Sequence, residues 1–126
     1  DGIIFTGFIS GDTLASIYSN AYAVCLPSNI EGMSISLLEA LAYSNAVVCS
    51  DIPENVSVCE NSAVFFKKGD ADDLAEKLTM LLRSPETVEK LRSVAKSDVL
   101  ARFSWDRTAD ETVAFYKNVL KGSHTI

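Results

Sequence analysis

Short apolar runs recur through the first half of the chain, and each ends at a turn-forming or polar residue. The runs span residues 3–5, 23–26, 46–49 and 63–66. None shows the alternation of apolar and polar residues that marks a strand with one solvent-exposed face, so each is typical of a strand buried on both faces of a parallel sheet. Apolar residues at helical spacing separate them. The pattern predicts four parallel strands covered by helices, a Rossmann-like α/β fold.

Two helices are predicted between the first three runs. The first begins near Asp12, a residue type suited to the N-cap, and carries an apolar stripe. The second covers residues 35–43, which are apolar nearly all round and therefore indicate a buried helix. The stripe of the first helix comprises Leu14, Ile17, Tyr18 and Ala21.

From residue 70 onward the pattern changes to helices alone. We expect one helix after Asp70, one from Pro85, which is favoured in a first turn, and one after Ser104. The last stripe should pack in the core or against another domain. The stripes are Leu74, Leu78, Leu81 and Leu82; Val88, Leu91 and Ala95; and Trp105, Ala109, Val113, Tyr116 and Leu120.

Residues 1–126 are expected to form a single partial domain. The sheet and ligand site would occupy residues 1–69, a helical C-terminal extension residues 70–121, and a frayed tail residues 122–126. Because the chain starts at Asp1, without Met and almost directly in a strand, we expect it to be a piece of a longer protein.

Composition and charge exclude several classes of function. The 126 residues suit one domain, and 48% hydrophobic with 22% charged residues is ordinary globular composition. A net charge of −6 with scattered basic residues argues against nucleic-acid binding. No stretch approaches the roughly 18 apolar residues that span a bilayer, although membrane association of a longer parent protein stays open.

Metal and disulfide chemistry are not indicated. Cys25, Cys49 and Cys59 are odd in number and lack C-x-x-C spacing, which predicts core thiols in a reducing cytoplasm. An acidic cluster at residues 70–73 is better explained by helix capping and the helix dipole than by a metal. The only histidine, His124, lies in the tail and is not assigned as a catalytic base.

The loop after the second run carries the candidate chemistry. Ligands of open α/β sheets bind at the carboxyl ends of strands, and helix N-termini there favour anions. Glu31 and Glu39 flank a turn containing Gly32 and Ser34, small residues that let a ligand approach the backbone. Unpaired amides at the helix start suit a diphosphate, and carboxylates suit the hydroxyls of a sugar or ribose.

This spacing of Glu31, seven residues and Glu39 resembles the E-x7-E motif of family 4 (group 1) retaining glycosyltransferases, which have the GT-B fold. Further segments resemble the same family, so the likeness covers nearly the whole chain. They are residues 5–9, 46–51, 65–75 and 103–105.

The resemblance implies a role for each matching position. Glu31 would be the catalytic carboxylate that contacts the donor sugar, and Glu39 would bind the ribose. Amides of the loop would bind sugar hydroxyls and phosphate, Phe8 and Ile9 would border the nucleobase, and neighbouring residues would complete the donor site. The loop amides are those of Gly32, Met33, Ser34 and Ile35, of which Met33 and Ser34 depart from the usual Glu-Gly-Phe-Gly, and the neighbouring residues are Thr6, Gly7 and Ser28.

The resemblance further implies a longer parent enzyme that transfers a hexosyl group from a nucleoside diphosphate sugar with retention of configuration, without a metal or other cofactor. Its N-terminal acceptor domain and an upstream Arg/Lys pair are not among the 126 residues, so the isolated chain should be inactive. Two alternatives stay open. They are a non-catalytic nucleotide-binding or interaction domain and a GT-B sugar epimerase.

Several of these residues also have purely structural interpretations. Residues 36–39 have the pattern of a capping box, in which Glu39 would only bond the backbone at Ser36. Glu31 would then be a solvated loop carboxylate. Thr6 and Ser28 would be turn formers.

Overall fold

The computed structural model describes residues 2–122, which form a parallel sheet with helices packed on both faces. The sheet has three strands in the order β1-β2-β3. They are β1 (Val24–Leu26), β2 (Val47–Ser50) and β3 (Ala63–Phe66). Within the described residues there are six helices: α1 (Gly11–Asn20), α2 (Ile35–Ala42), α3 (Pro53–Cys59), α4 (Ala71–Arg83), α5 (Pro85–Arg102) and α6 (Trp105–Gly122).

The central strand β2 divides the core into two clusters. Val47 and Cys49 point to one face, where they join residues of α2, α3 and α5. Val48 points to the other face and packs with residues of α4 and α5. Because successive side chains of a strand alternate in direction, a strand covered on both faces is apolar on both sides, as the run at residues 46–49 predicted, and only Ser50 at its end is polar. The Rossmann-like α/β architecture and the helical C-terminal extension are thereby confirmed.

The prediction of a strand over residues 3–5 is wrong. Residues 2–9 have no regular secondary structure, and Phe5 is 94% exposed. A strand needs a hydrogen-bonding neighbour, and no strand within residues 2–122 pairs with this segment. Strands β1-β2-β3 follow one another like the last three strands of the classic order 3-2-1-4-5-6, in which the preceding strand lies at the opposite side of the sheet.

Two further predictions are wrong, that of a buried Cys25 and that of a helix buried all round. Cys25 is exposed rather than a core thiol, because β1 is an edge strand among residues 2–122. Cys49 and Cys59 are buried, as expected. Helix α2 buries Leu37, but Ile35 is 58% exposed, so this helix is not buried all round.

The helix boundaries also required correction. The N-cap of α1 is Ser10, whereas Asp12 lies in the first turn. The sequence pattern missed α3, whose seven residues are too few for a periodicity to show and whose only signal is Pro53 at the first position. Leu82 is 69% exposed and does not belong to the buried face of α4.

The predicted starts of α5 at Pro85 and of α6 at Trp105 are confirmed. Helix α6 has no buried residue, so its apolar stripe does not pack in the core of the described part of the chain. Gly122 belongs to α6 rather than to a tail, and His124 lies outside the described residues. Within residues 2–122, no helix is both long and apolar enough to cross a membrane.

Candidate functional site

The loops that follow the three strands meet at one edge of the sheet and are bonded to one another. The Ser50 hydroxyl, at the end of β2, donates to the Ser28 carbonyl oxygen in the loop after β1 at 2.5 Å. The Asp51 amide donates to the carbonyl oxygen of Phe66 at 2.9 Å, and Asp51 Oδ1 accepts from the Lys68 amide at 2.8 Å. Each loop therefore restrains the next.

Glu31 lies in the loop between β1 and α2 and is half-buried. The Ser28 hydroxyl donates a hydrogen bond to Glu31 Oε1 at 2.6 Å. A carboxylate held in this way is not a freely solvated loop residue, and Ser28 does more than form a turn. One oxygen of Glu31 is restrained, and the other forms no hydrogen bond within residues 2–122.

The start of α2 presents a run of free amides. Ser34 is the N-cap and is 7% exposed, and its carbonyl oxygen accepts from the amides of Leu37 and Leu38, each at 3.2 Å. The preceding N–H groups, those of residues 32–36, form no hydrogen bond within residues 2–122. A Cβ added at Gly32 would meet no atom within 4 Å, so this backbone borders open space. Together with the positive end of the helix dipole, these donors can bind an anion.

Glu39 is not part of a capping box. Ser36 is the second residue of α2 rather than its N-cap, so Glu39 has no cap to complete. The Glu39 side chain forms no hydrogen bond within residues 2–122, yet it is half-buried. Burial raises the pKa of the nearby Tyr18 hydroxyl, and the negative charge of Glu39 adds to the rise. Glu39 therefore keeps a free carboxylate at the protein surface.

Glu39 lines a cleft of about 640 Å³ whose second wall the sequence did not predict. That wall contains two arginines whose charges are already paired. Arg102 Nη1 lies 3.0 Å from Glu60, and Arg107 donates to Glu111 at 2.7 Å. The first wall comprises Met33, Ile35, Leu38, Glu39 and Ala42, and the second Val99, Leu100, Arg102, Phe103, Ser104, Trp105, Arg107, Thr108 and Glu111. Of the second wall, the sequence had singled out only residues 103–105.

The segment expected to border a nucleobase lies apart from this hydrogen-bonded edge. Thr6, Gly7 and Phe8 are exposed, Ile9 is half-buried, and Phe8 is 95% exposed. The Thr6 hydroxyl bonds only the neighbouring carbonyl oxygen of Gly7, at 3.1 Å. Within residues 2–122 no hydrogen bond joins this segment to the Glu31 loop. Its contact with a base therefore stays a prediction.

The acidic residues at the start of α4 serve the helix itself. Asp70 is the N-cap, and its carboxylate accepts from the Asp73 amide at 3.1 Å. Asp73 accepts from the Lys67 amide at 2.6 Å, and this bond holds the pKa of the Asp73 carboxyl below its usual range. The capping interpretation is confirmed. In the described part of the chain, no three or more metal-ligating side chains are grouped.

The parallel sheet covered by helices on both faces, with its helical C-terminal extension, has the architecture of the Rossmann-like C-terminal part of a GT-B protein. Residues 1–98 match the family Glycosyl transferases group 1. The chain belongs to this family.

The chain spans about 30% of the length of the first relatives that it matches. An uncharacterised glycosyltransferase of Methanocaldococcus jannaschii is 32% identical over 117 residues, which are 91% of this chain and 30% of that relative. The MMP alpha-(1->4)-mannosyltransferase of Mycolicibacterium hassiacum is 31% identical and covers 89% of this chain and 28% of its own length. Sucrose-phosphate synthase from Thermosynechococcus elongatus has a similar structure, with a TM-score of 0.85 at 25% identity, over 94% of this chain and 30% of the other.

Proposed function

We propose that the chain is the donor-binding part of a longer retaining glycosyltransferase, which transfers a hexosyl group from a nucleoside diphosphate sugar. Membership of the glycosyltransferase family supports this proposal, as do relatives named as mannosyltransferases. The chain spans about 30% of the first relative, which leaves room for an acceptor-binding domain elsewhere in the longer protein.

One observation carries the proposal, namely the free amides of residues 32–36 beside a restrained carboxylate. A diphosphate bound at these amides would leave its sugar near Glu31, whose free oxygen can accept from sugar hydroxyls. The ribose would lie toward Glu39, and the base toward residues 6–9. Ser28, Gly32, Met33, Ser34 and Ile35 would complete the donor site.

The site would work without a metal or other cofactor. Helix α2 itself contains no basic residue, so the positive potential that it offers to a diphosphate is that of its amides and the helix dipole. The charge that develops on a leaving diphosphate would be stabilised by basic residues elsewhere in the longer protein. We therefore expect no glycosyl transfer by the 126-residue chain alone, and we assign the enzyme to the cytoplasm.

The test is a titration of the ¹⁵N-labelled chain with uridine and guanosine diphosphates. We expect a Kd in about the millimolar range, because the contacts of this part of the donor pocket alone must offset the translational and rotational freedom that the ligand loses on binding. Amide shifts should cluster at residues 6–9 and 32–39. Shifts confined to residues 70–73 would contradict the placement, since that segment is the capped start of α4.

A proline pair supplies the matched control. Ile35 is the first residue of α2, where proline is tolerated, and Ser34 already has the extended backbone that a following proline requires. Ile35→Pro removes one amide donor and should weaken binding severalfold with the fold intact. Ala71→Pro makes the same change at the first position of α4 and should leave binding unchanged. Equal effects of the two variants would remove the α2 amides from the site.

Binding alone does not separate the enzyme from a non-catalytic nucleotide-binding domain or from an epimerase. The longer protein, incubated with a nucleotide sugar and candidate acceptors, should give a glycosylated product with the anomeric configuration of the donor. An epimerised sugar, or unchanged donor together with normal binding, would favour one of the alternatives.

A further inference from the structure

Two buried polar side chains lie beneath the Glu31 loop, and neither touches the proposed ligand space. Ser50, at the end of β2, is fully buried, and Asn55, in α3, is 1% exposed. Asn55 Nδ2 donates to both the carbonyl oxygen and the hydroxyl of Ser50, each at 3.1 Å. Buried polar groups of this kind have one satisfactory arrangement, because water cannot replace a lost partner.

The direction of these hydrogen bonds is determined by chemistry. Both hydrogens of Asn55 Nδ2 are used on Ser50, so the single proton of the Ser50 hydroxyl is left for the Ser28 carbonyl oxygen, 2.5 Å away. Turning the amide over would place Oδ1 against the Ser50 carbonyl oxygen, an acceptor facing an acceptor. The observed orientation persists although Asn55 Oδ1 has no partner within residues 2–122.

Ser28 passes this restraint on to Glu31. Its carbonyl oxygen is held by Ser50, and its own hydroxyl donates to Glu31 Oε1 at 2.6 Å. The bond at its carbonyl oxygen restrains the backbone from which its side chain projects, and the rotamer observed is the one that places the hydroxyl on Glu31. Hydrogen bonds therefore connect α3 to the loop carboxylate by way of Ser50 and Ser28.

We propose that Ser50 and Asn55 are positioning residues for Glu31, which hold the Ser28–Glu31 pair where the donor sugar binds. This inference rests on the proposed function of Glu31 as the donor-sugar carboxylate. It assigns a role to α3, which lies outside the sequence motif. Small displacements of a reacting group are costly in catalysis, so loss of either side chain should lower turnover without removing any ligand contact.

The test uses the longer enzyme and measures kcat, donor KM and melting temperature. Ser50→Ala and Asn55→Ala should each lower kcat about tenfold or more, whereas the affinity for the nucleoside diphosphate alone, which does not reach Glu31, should stay within about twofold. Ser57→Ala changes an exposed serine on the same helix and should leave kcat unchanged. Ser50→Thr, which keeps the hydroxyl, should restore most of the loss.

A double-mutant cycle with Glu31→Gln separates positioning from ordinary stabilisation. If Ser50 acts through Glu31, Ser50→Ala should lower kcat little further in the Glu31→Gln enzyme. Equal losses in both backgrounds, or a fall in melting temperature with kcat unchanged, would overturn the inference. If Ser50→Ala does not fold, Ser50→Cys fills the same space with a weak donor and allows the same comparison.

The outcomes also distinguish this inference from the proposed function. A wild-type protein without nucleotide binding or transfer would contradict the function itself. A wild-type enzyme that loses activity on Glu31→Gln but not on Ser50→Ala or Asn55→Ala would retain the function and refute the positioning role.

Discussion

The Ser28 hydroxyl donates to Glu31 Oε1 at 2.6 Å, three residues further along the loop. The bond orients the carboxylate without neutralising it, because a hydroxyl donor carries no charge. Glu31 is thus restrained and half-buried, which suits a group that must meet sugar hydroxyls in a defined place.

The first prediction concerns the charge of Glu31 in the longer enzyme. Glu31→Gln keeps an acceptor for Ser28 and should lower kcat by about a hundredfold or more, as removal of one polar group that serves a transition state can do. The melting temperature should hardly change, because the residue has little structural role. Glu76→Gln, an exposed position on α4, is the control. An unchanged rate for Glu31→Gln would show that Glu31 is an ordinary loop carboxylate with no role in transfer.

The second prediction concerns ribose recognition by Glu39. A carboxylate that accepts from hydroxyls forms charge-assisted bonds, which are roughly twice as strong as neutral ones. Glu39→Gln in the longer enzyme should raise the donor Kd about tenfold, or roughly 1.4 kcal/mol, as measured by calorimetry. Because Glu39 caps nothing, Glu39→Ala should leave the melting temperature nearly unchanged. Normal donor affinity of the Gln variant would exclude Glu39 from the site.

The third prediction concerns the cap of α4 in the isolated chain. Asp70→Ala removes the acceptor for the Asp73 amide and should lower the free energy of unfolding by about 0.5–2 kcal/mol in urea denaturation. Asp70→Asn keeps a good cap and should cost much less. Asp72→Ala lies in the same turn without a cap bond and serves as the control. Equal losses for Asp70→Ala and Asp72→Ala would show that charge, not capping, matters here.

The fourth prediction is a dependence of stability on acid pH. The Lys67 amide bond to Asp73 lowers the folded-state pKa of this carboxyl, while the unfolded pKa is about 3.9. The stabilisation is therefore complete above the unfolded pKa and is lost as the pH falls from about 4 through the lower folded value. NMR titration of the Asp73 carboxyl should show this low pKa. Asp73→Asn should flatten the fall in stability on acidification, and a slope identical to wild type would contradict the assignment.

Features of the site differ in how far residue order could predict them. The spacing of Glu31 and Glu39 and the small residues between them were visible in the sequence because they lie in one local segment. The Ser28–Glu31 hydrogen bond was not, although only three positions separate the residues. A loop has no periodicity, so its side-chain directions depend on what holds its backbone. Here that restraint comes from Ser50, more than twenty positions away.

Elements with a strong local signal could be predicted from the amino-acid order alone. Uninterrupted apolar runs predicted the three observed strands, and Pro85 with the apolar stripe after it predicted α5. Both signals are local, because a strand buried on both faces is apolar at every position and a helix buried on one face is apolar at helical spacing. The other features of the fold and the site depend on tertiary contacts. Residues 3–5 have the composition of a strand but find no neighbour to pair with, and α6 has a full apolar stripe but no surface within residues 2–122 that buries it. Asn55 bonds Ser50, five positions earlier, because α3 begins directly after β2 and its third residue lies against the end of that strand. The hydrophobic pattern predicts that a residue is to be buried, whereas the residues that bury it are determined by the folded chain.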